Sequence, residues 1–151
     1  MTTISITVKQ VLNKKGSRIY SVSPTASVFD ALSLMAQHDI GAVLVTEGGQ
    51  LKGIFSERDY ARKLVLKGLA SKDTSVGEMM TSHVETITPD TPLSQVMTTM
   101  TNRRFRHLPV LDENGQLAGI ITIGDVVKAV IEEQQATIQQ LSSYISGELT
   151  T

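Results

Sequence analysis

The 151-residue sequence predicts a mixed α/β (α+β) fold in which two β-α-β-β-α units pack face to face as one pseudo-two-fold module. Three observations carry that expectation. The chain repeats itself, since Val22–Asp59 can be laid over Ile87–Asp125 with one added residue. Short apolar runs alternate with stretches whose apolar residues recur at helical spacing. Neither copy alone has enough apolar surface for a stable domain, although 40% of the chain is hydrophobic, so the copies should form one intertwined globule.

The repeat can be checked position by position. Val22-Ser23-Pro24 falls on Ile87-Thr88-Pro89, Met35 on Met100 and Val45 on Val110. After the insertion, Gly49-Gln50-Leu51-Lys52-Gly53-Ile54 falls on Gly115-Gln116-Leu117-Ala118-Gly119-Ile120, and Asp59 on Asp125.

In chain order, Val8–Asn13 reads as a short leading helix, followed by a β-branched stretch, Ile19–Val22, that ends at Pro24. Val28, Ala31, Leu32 and Met35 share one helical face, with Ser27 and Asp30 spaced as a capping box. Gly41–Thr46 and Leu51–Phe55 are apolar strands joined by Glu47-Gly48-Gly49-Gln50, and a second helix starts near Glu57. Gly68–Ser75 is a small, polar linker, and Val76–Met80 is the counterpart of the leading helix. The second unit repeats the order: strand Val84–Thr88, a helical face of Leu93, Val96, Met97 and Met100 with Thr91-Pro92 as cap and first-turn proline, then strands His107–Leu111 and Leu117–Thr122. A last helix starts near Gly124 and runs past the repeat, carrying Val127, Ile131, Gln134, Ile138, Leu141 and Ile145 at alternating three- and four-residue steps. That stripe suits either a partner helix or the chain's own domain. The expected division is residues 8–73 for the first unit with its leading helix, 76–138 for the second, and 139–151 for a helical tail.

Composition narrows the function classes. Fourteen Lys and Arg against fifteen Asp and Glu give a net charge of −1, so any anion site must be local and nucleic acid is not favoured. The lack of cysteine excludes a disulfide framework or thiolate metal site and fits a reducing compartment. Runs such as Gly41–Val45 are too short to span a bilayer, and Met1–Gln10 lacks the features of a secretory signal, so the expected location is the cytoplasm. His38 and His83 stand alone, and no nucleophile elbow, phosphate loop or His-Glu-x-x-His is present. The expectation is a non-enzyme with no catalytic residue, no metal and no required cofactor.

The distinctive chemistry lies in Gly53-Ile54-Phe55-Ser56-Glu57-Arg58-Asp59 and its copy Gly119-Ile120-Ile121-Thr122-Ile123-Gly124-Asp125, each a hydroxyl three residues before an aspartate at a strand-to-helix junction. A hydroxyl with free N–H groups at a helix start favours phosphate, and a carboxylate there can accept two hydrogen bonds from a ribose diol. The same spacing is also a helix-capping signal. Arg103, Arg104, Arg106 and His107 form a basic cluster only in the second unit, where Arg106 and His107 are candidate phosphate ligands. Their equivalents in the first unit are Gly41 and Ala42; Arg58 either compensates or is ordinary surface. On this ground the Asp125 site is expected to be the tighter one.

The repeated Gly-aliphatic-aliphatic-Ser/Thr-x-x-Asp ending, with Arg106-His107-Leu108-Pro109-Val110 upstream, resembles the CBS domain family over about Gly16 to Glu133. The resemblance implies two CBS repeats paired as a stand-alone Bateman module, whose clefts take AMP, ADP, ATP, NAD(H) or S-adenosylmethionine. It further implies ribose binding by Asp59 and Asp125, with Ser56 and Thr122 near the phosphate or sugar. Ile54, Ile120 and Ile87 would sandwich the adenine, and backbone near Tyr20 and Thr86 would read its edge. A homodimeric sensor of an adenosine nucleotide, acting on a downstream protein, is the expected function. The rival readings are a nucleic-acid-binding accessory protein using Arg103–His107 with Phe105 as a stacking residue, and an enzyme acting on the nucleotide.

Overall fold

The computed structural model of the chain describes residues 6–150; Met1–Ser5, part of the stretch read for a signal, and Thr151, the end of the expected tail, lie outside the described residues. The elements run α1 (Val8–Lys15), β1 (Ser21–Val22), α2 (Val28–His38), β2 (Ala42–Glu47), β3 (Gln50–Ser56), α3 (Glu57–Asp59) continuing into a π-helical segment (Tyr60–Val65), α4 (Val76–Met79), α5 (Leu93–Arg103), β4 (His107–Leu111), β5 (Leu117–Thr122) and α6 (Ile123–Thr150). Among the described residues, no helix is long and apolar enough to cross a membrane.

The sheets follow from the repeat and from one proline. In the first unit β1 runs parallel to β2, and β2 and β3 form an antiparallel hairpin. In the second unit β4 and β5 form the same hairpin, but the strand expected at Val84–Thr88 is reduced to one parallel bridge between Ile87 and Val110. Leu44 N–H donates to the Tyr20 carbonyl at 3.0 Å in the first unit. Pro109 stands at the position equivalent to Leu44 and has no N–H to give, so the corresponding rung is lost.

Two cores result. One gathers Val28, Ala31, Met35, Val43, Val45, Phe55, Leu64 and Val76. The other gathers Ile87, Leu93, Val96, Leu108, Val110 and Ile121 with Val8, Val11 and Leu12 of α1. The leading helix, grouped by sequence with the first unit, therefore completes the second, while α4 completes the first. Val8 N–H donates to Thr91 O at 2.9 Å and Leu93 N–H to Ile6 O at 2.8 Å. The exchange is matched by Val28 N–H to Thr74 O at 2.9 Å and Val76 N–H to Ala26 O at 2.8 Å.

This exchange explains the glycine that opens each repeated motif. A Cβ on Gly119 would lie 2.7 Å from Leu12 Cδ2, and one on Gly53 would lie 2.6 Å from the Thr81 carbonyl oxygen. At Gly53 the neighbour is fixed backbone, so only glycine lets the exchanged segment cross so closely; at Gly119 a Cβ would require the Leu12 side chain to move.

The capping expectations hold unevenly. Ser27 accepts from Asp30 N–H at 3.0 Å, whereas Pro92 itself occupies the N-cap of α5 and Thr91 turns back to accept from Thr88 N–H at 3.0 Å. On α6, Val126 and Ala129 face the second core, and Val127, Ile131, Ile138, Leu141 and Ile145 are exposed. The stripe thus finds no cover on the chain's own domain among the described residues.

Candidate functional site

Two clefts lie at the strand-to-helix junctions, and each is built from both units. A cleft of about 450 Å³ joins Ile19, Tyr20, Gly41 and Ala42 of the first unit to His107, Ile120 and Thr122 of the second, with Lys15 and Arg18 at its rim. A cleft of about 1090 Å³ joins Ile54, Ser56, Arg58 and Asp59 of the first unit to Val84, Glu85, Arg103, Arg104, Arg106 and His107 of the second. Gly41 and His107 line both.

The junctions are capping boxes first. At the first, Ser56 Oγ accepts from Asp59 N–H at 3.2 Å, while Asp59 Oδ2 accepts from Ser56 N–H at 3.0 Å and from the Ser56 hydroxyl at 3.1 Å. Asp59 Oδ1 accepts from the Thr81 hydroxyl at 3.1 Å and pairs with Lys63 Nζ at 3.1 Å. Both carboxylate oxygens and the Ser56 hydroxyl are therefore engaged within the protein. The expectation of free N–H groups also fails here in part, because Glu57 N–H donates to Gly41 O at 3.0 Å.

The second junction is less saturated. Thr122 Oγ1 accepts from Asp125 N–H at 3.2 Å, and Asp125 Oδ2 accepts from Thr122 N–H at 2.8 Å and pairs with Lys15 Nζ at 2.6 Å. Among the described residues the Thr122 hydroxyl has no acceptor and Asp125 Oδ1 no donor. One donor and one acceptor are thus left unused. Lys15 also donates to the Ile120 carbonyl at 2.8 Å, so its ammonium bridges the two groups at the mouth of this cleft.

His107 stands between the clefts on β4. Burial, its main perturbation, pushes its imidazole pKa below the usual value; Arg106 and Lys15 push the same way, and Asp125 opposes them.

Of the residues predicted from sequence, Tyr20, Ile120, Thr122 and His107 meet in the smaller cleft; Asp125 lines neither cleft and is joined to this one only through its hydrogen bond from Thr122 N–H. Ile54, Ser56, Arg58, Asp59, Arg106 and again His107 meet in the larger. Thr86 and Ile87 line neither. Ile87 is in the second core and bridges Val110, so strand alternation turns its side chain away from the ligand face. The positions equivalent to Ile19 and Tyr20 are Val84 and Glu85, which do line a cleft. Arg103–Arg106 share a cleft with Asp59, because each cleft borrows its strand opening from the opposite unit; Arg106 is thereby removed as a ground for a tighter Asp125 site, while His107 lines both clefts. Phe105 is partly buried against the second core, has Arg103 over its ring at 5.6 Å, and also lines the larger cleft. Lys15, Arg18, Lys63 and Thr81 were missed, and the repeat offset alone would have found only the Tyr20 and Glu85 pair.

The CBS domain sequence profile matches residues 8–66 and 76–132. The chain belongs to the CBS domain family. It is 39% identical over 152 residues to the CBS domain-containing protein CBSX3, mitochondrial, of Arabidopsis thaliana, an alignment that covers 95% of this chain and 73% of that protein. The crystal structure of the CBS-domain containing protein ATU1752 from Agrobacterium tumefaciens matches with a TM-score of 0.76 and 44% identity, covering 82% of this chain and 97% of that one. The crystal structure of CBSX2 in complex with AMP matches with a TM-score of 0.70 and 28% identity, covering 85% and 98%. The paired fold expected from the repeat, and the CBS family implied by the resemblance, are thus the observed ones.

Proposed function

We propose that this CBS pair is a non-catalytic sensor that binds an adenosine nucleotide in the cleft beside Asp125. The observation that carries this reading is the Thr122 hydroxyl, without an acceptor among the described residues, in a cleft with an apolar slot formed by Ile19, Tyr20, Ile40 and Ile120; Asp125, hydrogen-bonded to Thr122 N–H, does not line that cleft and would have to turn its carboxylate toward it. An apolar slot with a few convergent polar groups suits a flat base and a sugar diol. The AMP complex of CBSX2 supports the ligand class. AMP, ADP, ATP and NAD(H) are the candidates, and the ammonium of Lys15 must leave Asp125 or follow the ligand's phosphate when the sugar arrives. Ligand binding would then shift the arrangement of a homodimer by no more than the ligand's differential affinity for its two states. The exposed stripe of α6 supports such a dimer, since it repeats at coiled-coil spacing and has no partner within the described chain.

Isothermal titration against AMP, ADP, ATP, NAD, NADH and S-adenosylmethionine tests the reading. Saturable binding of at least one, weakened by changing Asp125, is expected. No heat from any of them at millimolar concentration would overturn it.

A further inference from the structure

Two ion pairs tie the last turn of α1 to α6. Lys14 Nζ lies 3.0 Å from Glu132 Oε2, and Lys15 Nζ lies 2.6 Å from Asp125 Oδ2. The two pairs differ in setting. The Lys14 side chain is 78% exposed, whereas that of Lys15 is 28% exposed, lines the smaller cleft and also donates to the Ile120 carbonyl at 2.8 Å. Both lysines stand at the C-terminal end of α1, where the helix dipole favours a cation.

The Lys15 pair holds Asp125 in a position that serves the fold and not the cleft. Oδ2 takes both Thr122 N–H and the ammonium, and the residue lines neither cleft. At the first junction the lysine on Asp59 is Lys63, four residues further along the same helical segment, so breaking that pair releases no other element. Lys15 instead reaches Asp125 from the exchanged leading helix. It is followed by Gly16 at φ +94° and by Ser17, Arg18 and Ile19, whose N–H groups donate to no backbone acceptor among the described residues. Tyr20 ends this stretch, its carbonyl fixed by Leu44 N–H at 3.0 Å. Gly16, Arg18, Ile19 and Tyr20 all line the smaller cleft. Residues 16–20 are thus a strap along that cleft, anchored on the second unit by Lys15 and on the first by Leu44.

We infer that Lys15 is a latch on this cleft: its ammonium keeps the Asp125 carboxylate turned away, and release of the ion pair is the step that admits a sugar diol and frees the strap from the second unit. The inference rests on the adenosine reading for the identity of the ligand and names the regulation of that site. One of the two pairs joining α1 to α6 is given up on binding, so occupancy of the cleft is transmitted to the first turn of the helix that carries the exposed stripe. The coupling equals the difference in ligand affinity between latched and unlatched forms.

Calorimetry with adenosine, which carries no phosphate for a lysine to follow, reads the latch on wild type, Lys15→Met, Lys15→Arg and Lys14→Met. Removing a partly exposed ion pair that competes with the ligand should tighten adenosine binding to Lys15→Met about two- to fivefold, with Lys15→Arg and Lys14→Met unchanged. Higher salt should tighten binding to wild type and not to Lys15→Met, because screening weakens the pair while adenosine is neutral. Binding by Lys15→Met that is unchanged overturns the inference, and weakened binding overturns it in favour of Lys15 as a ligand contact. Acetylation rates at single lysines, read by mass spectrometry, decide the same point without a ligand. Asp125→Asn should speed acetylation of Lys15 about two- to fivefold and leave Lys14 as it was, and saturating adenosine should speed Lys15 in wild type. A Lys15 rate unmoved by Asp125→Asn overturns the latch. If adenosine binds none of the proteins, the nucleotide reading fails alone, and the labelling of Asp125→Asn still sustains or sinks the latch.

Discussion

Asp125→Ala separates the structural work of the second junction from its ligand work. In the folded chain Asp125 Oδ2 closes the capping box on Thr122 N–H at 2.8 Å and pairs with Lys15 at 2.6 Å. Losing the hydrogen bond from Thr122 N–H costs about 0.5–1.5 kcal/mol, and a partly exposed ion pair adds about 0.2–1 kcal/mol, so the variant should be less stable by about 0.7–2.5 kcal/mol. For a chain of this size that lowers the melting midpoint by about 1–10 °C and leaves the fold intact. Ligand binding should suffer more. Removing a charged partner of a hydrogen-bonded diol costs about 2–4 kcal/mol, or about 30- to 1,000-fold in Kd. Asp125→Asn keeps an oxygen for Thr122 N–H, so it should recover most of the stability while still binding weakly. Calorimetry with AMP and thermal unfolding followed by circular dichroism read the two effects independently. Binding by Asp125→Ala within about threefold of wild type would refute the assignment of the sugar to this carboxylate, whatever the melting midpoint does.

Three further outcomes are expected. Gly53→Ala should destabilise the fold by about 1–3 kcal/mol and more than Gly119→Ala, because its Cβ would meet the fixed Thr81 carbonyl and not the movable end of Leu12; equal losses in urea unfolding would contradict the exchange of leading segments. His107, held below its usual pKa chiefly by burial, is neutral in the fold, so its contribution is present above about pH 6.5 and is lost as pH falls through the window beneath it, where the unfolded chain takes the proton first. His107→Gln should flatten the pH dependence of stability in that window, and an unchanged slope would exclude His107 as its source. Ile138→Glu should leave monomer stability within about 0.5 kcal/mol yet abolish any dimer seen by sedimentation equilibrium, and an unaltered dimer would place the interface away from α6.

Much of this was legible in the sequence because a repeat tests itself. The hairpins, both helical faces and the Ser56/Asp59 and Thr122/Asp125 junctions recur in the same order with a single inserted residue, and local spacing determines them. Three things were not legible, each for a different reason. Pro109 removes one donor and with it a strand rung, an effect visible only once Leu44 is known to donate to Tyr20. Placing Thr86 and Ile87 in the site came from a misjudged register; stepping back to Val84 and Glu85 changes which residues meet the cleft. The attachment of Arg103–Arg106 to Asp59 depends on which unit faces which, and no local pattern encodes that.

The crossing of the units bears directly on how the two clefts diverge. If each cleft were built within one unit, the second unit would own Arg103–Arg106 and the Asp125 junction together, and the first would own Arg58, Arg62 and Lys63 beside a carboxylate already engaged within the protein. Because strand openings and junctions come from opposite units, the arginines of the second unit lie against the saturated junction of the first. The uncharged Gly41 and Ala42 lie against the junction that still has an unused donor and acceptor. His107 stands on the wall common to both clefts, its imidazole pKa held down chiefly by burial and further by Arg106 and Lys15, so the two clefts share one imidazole.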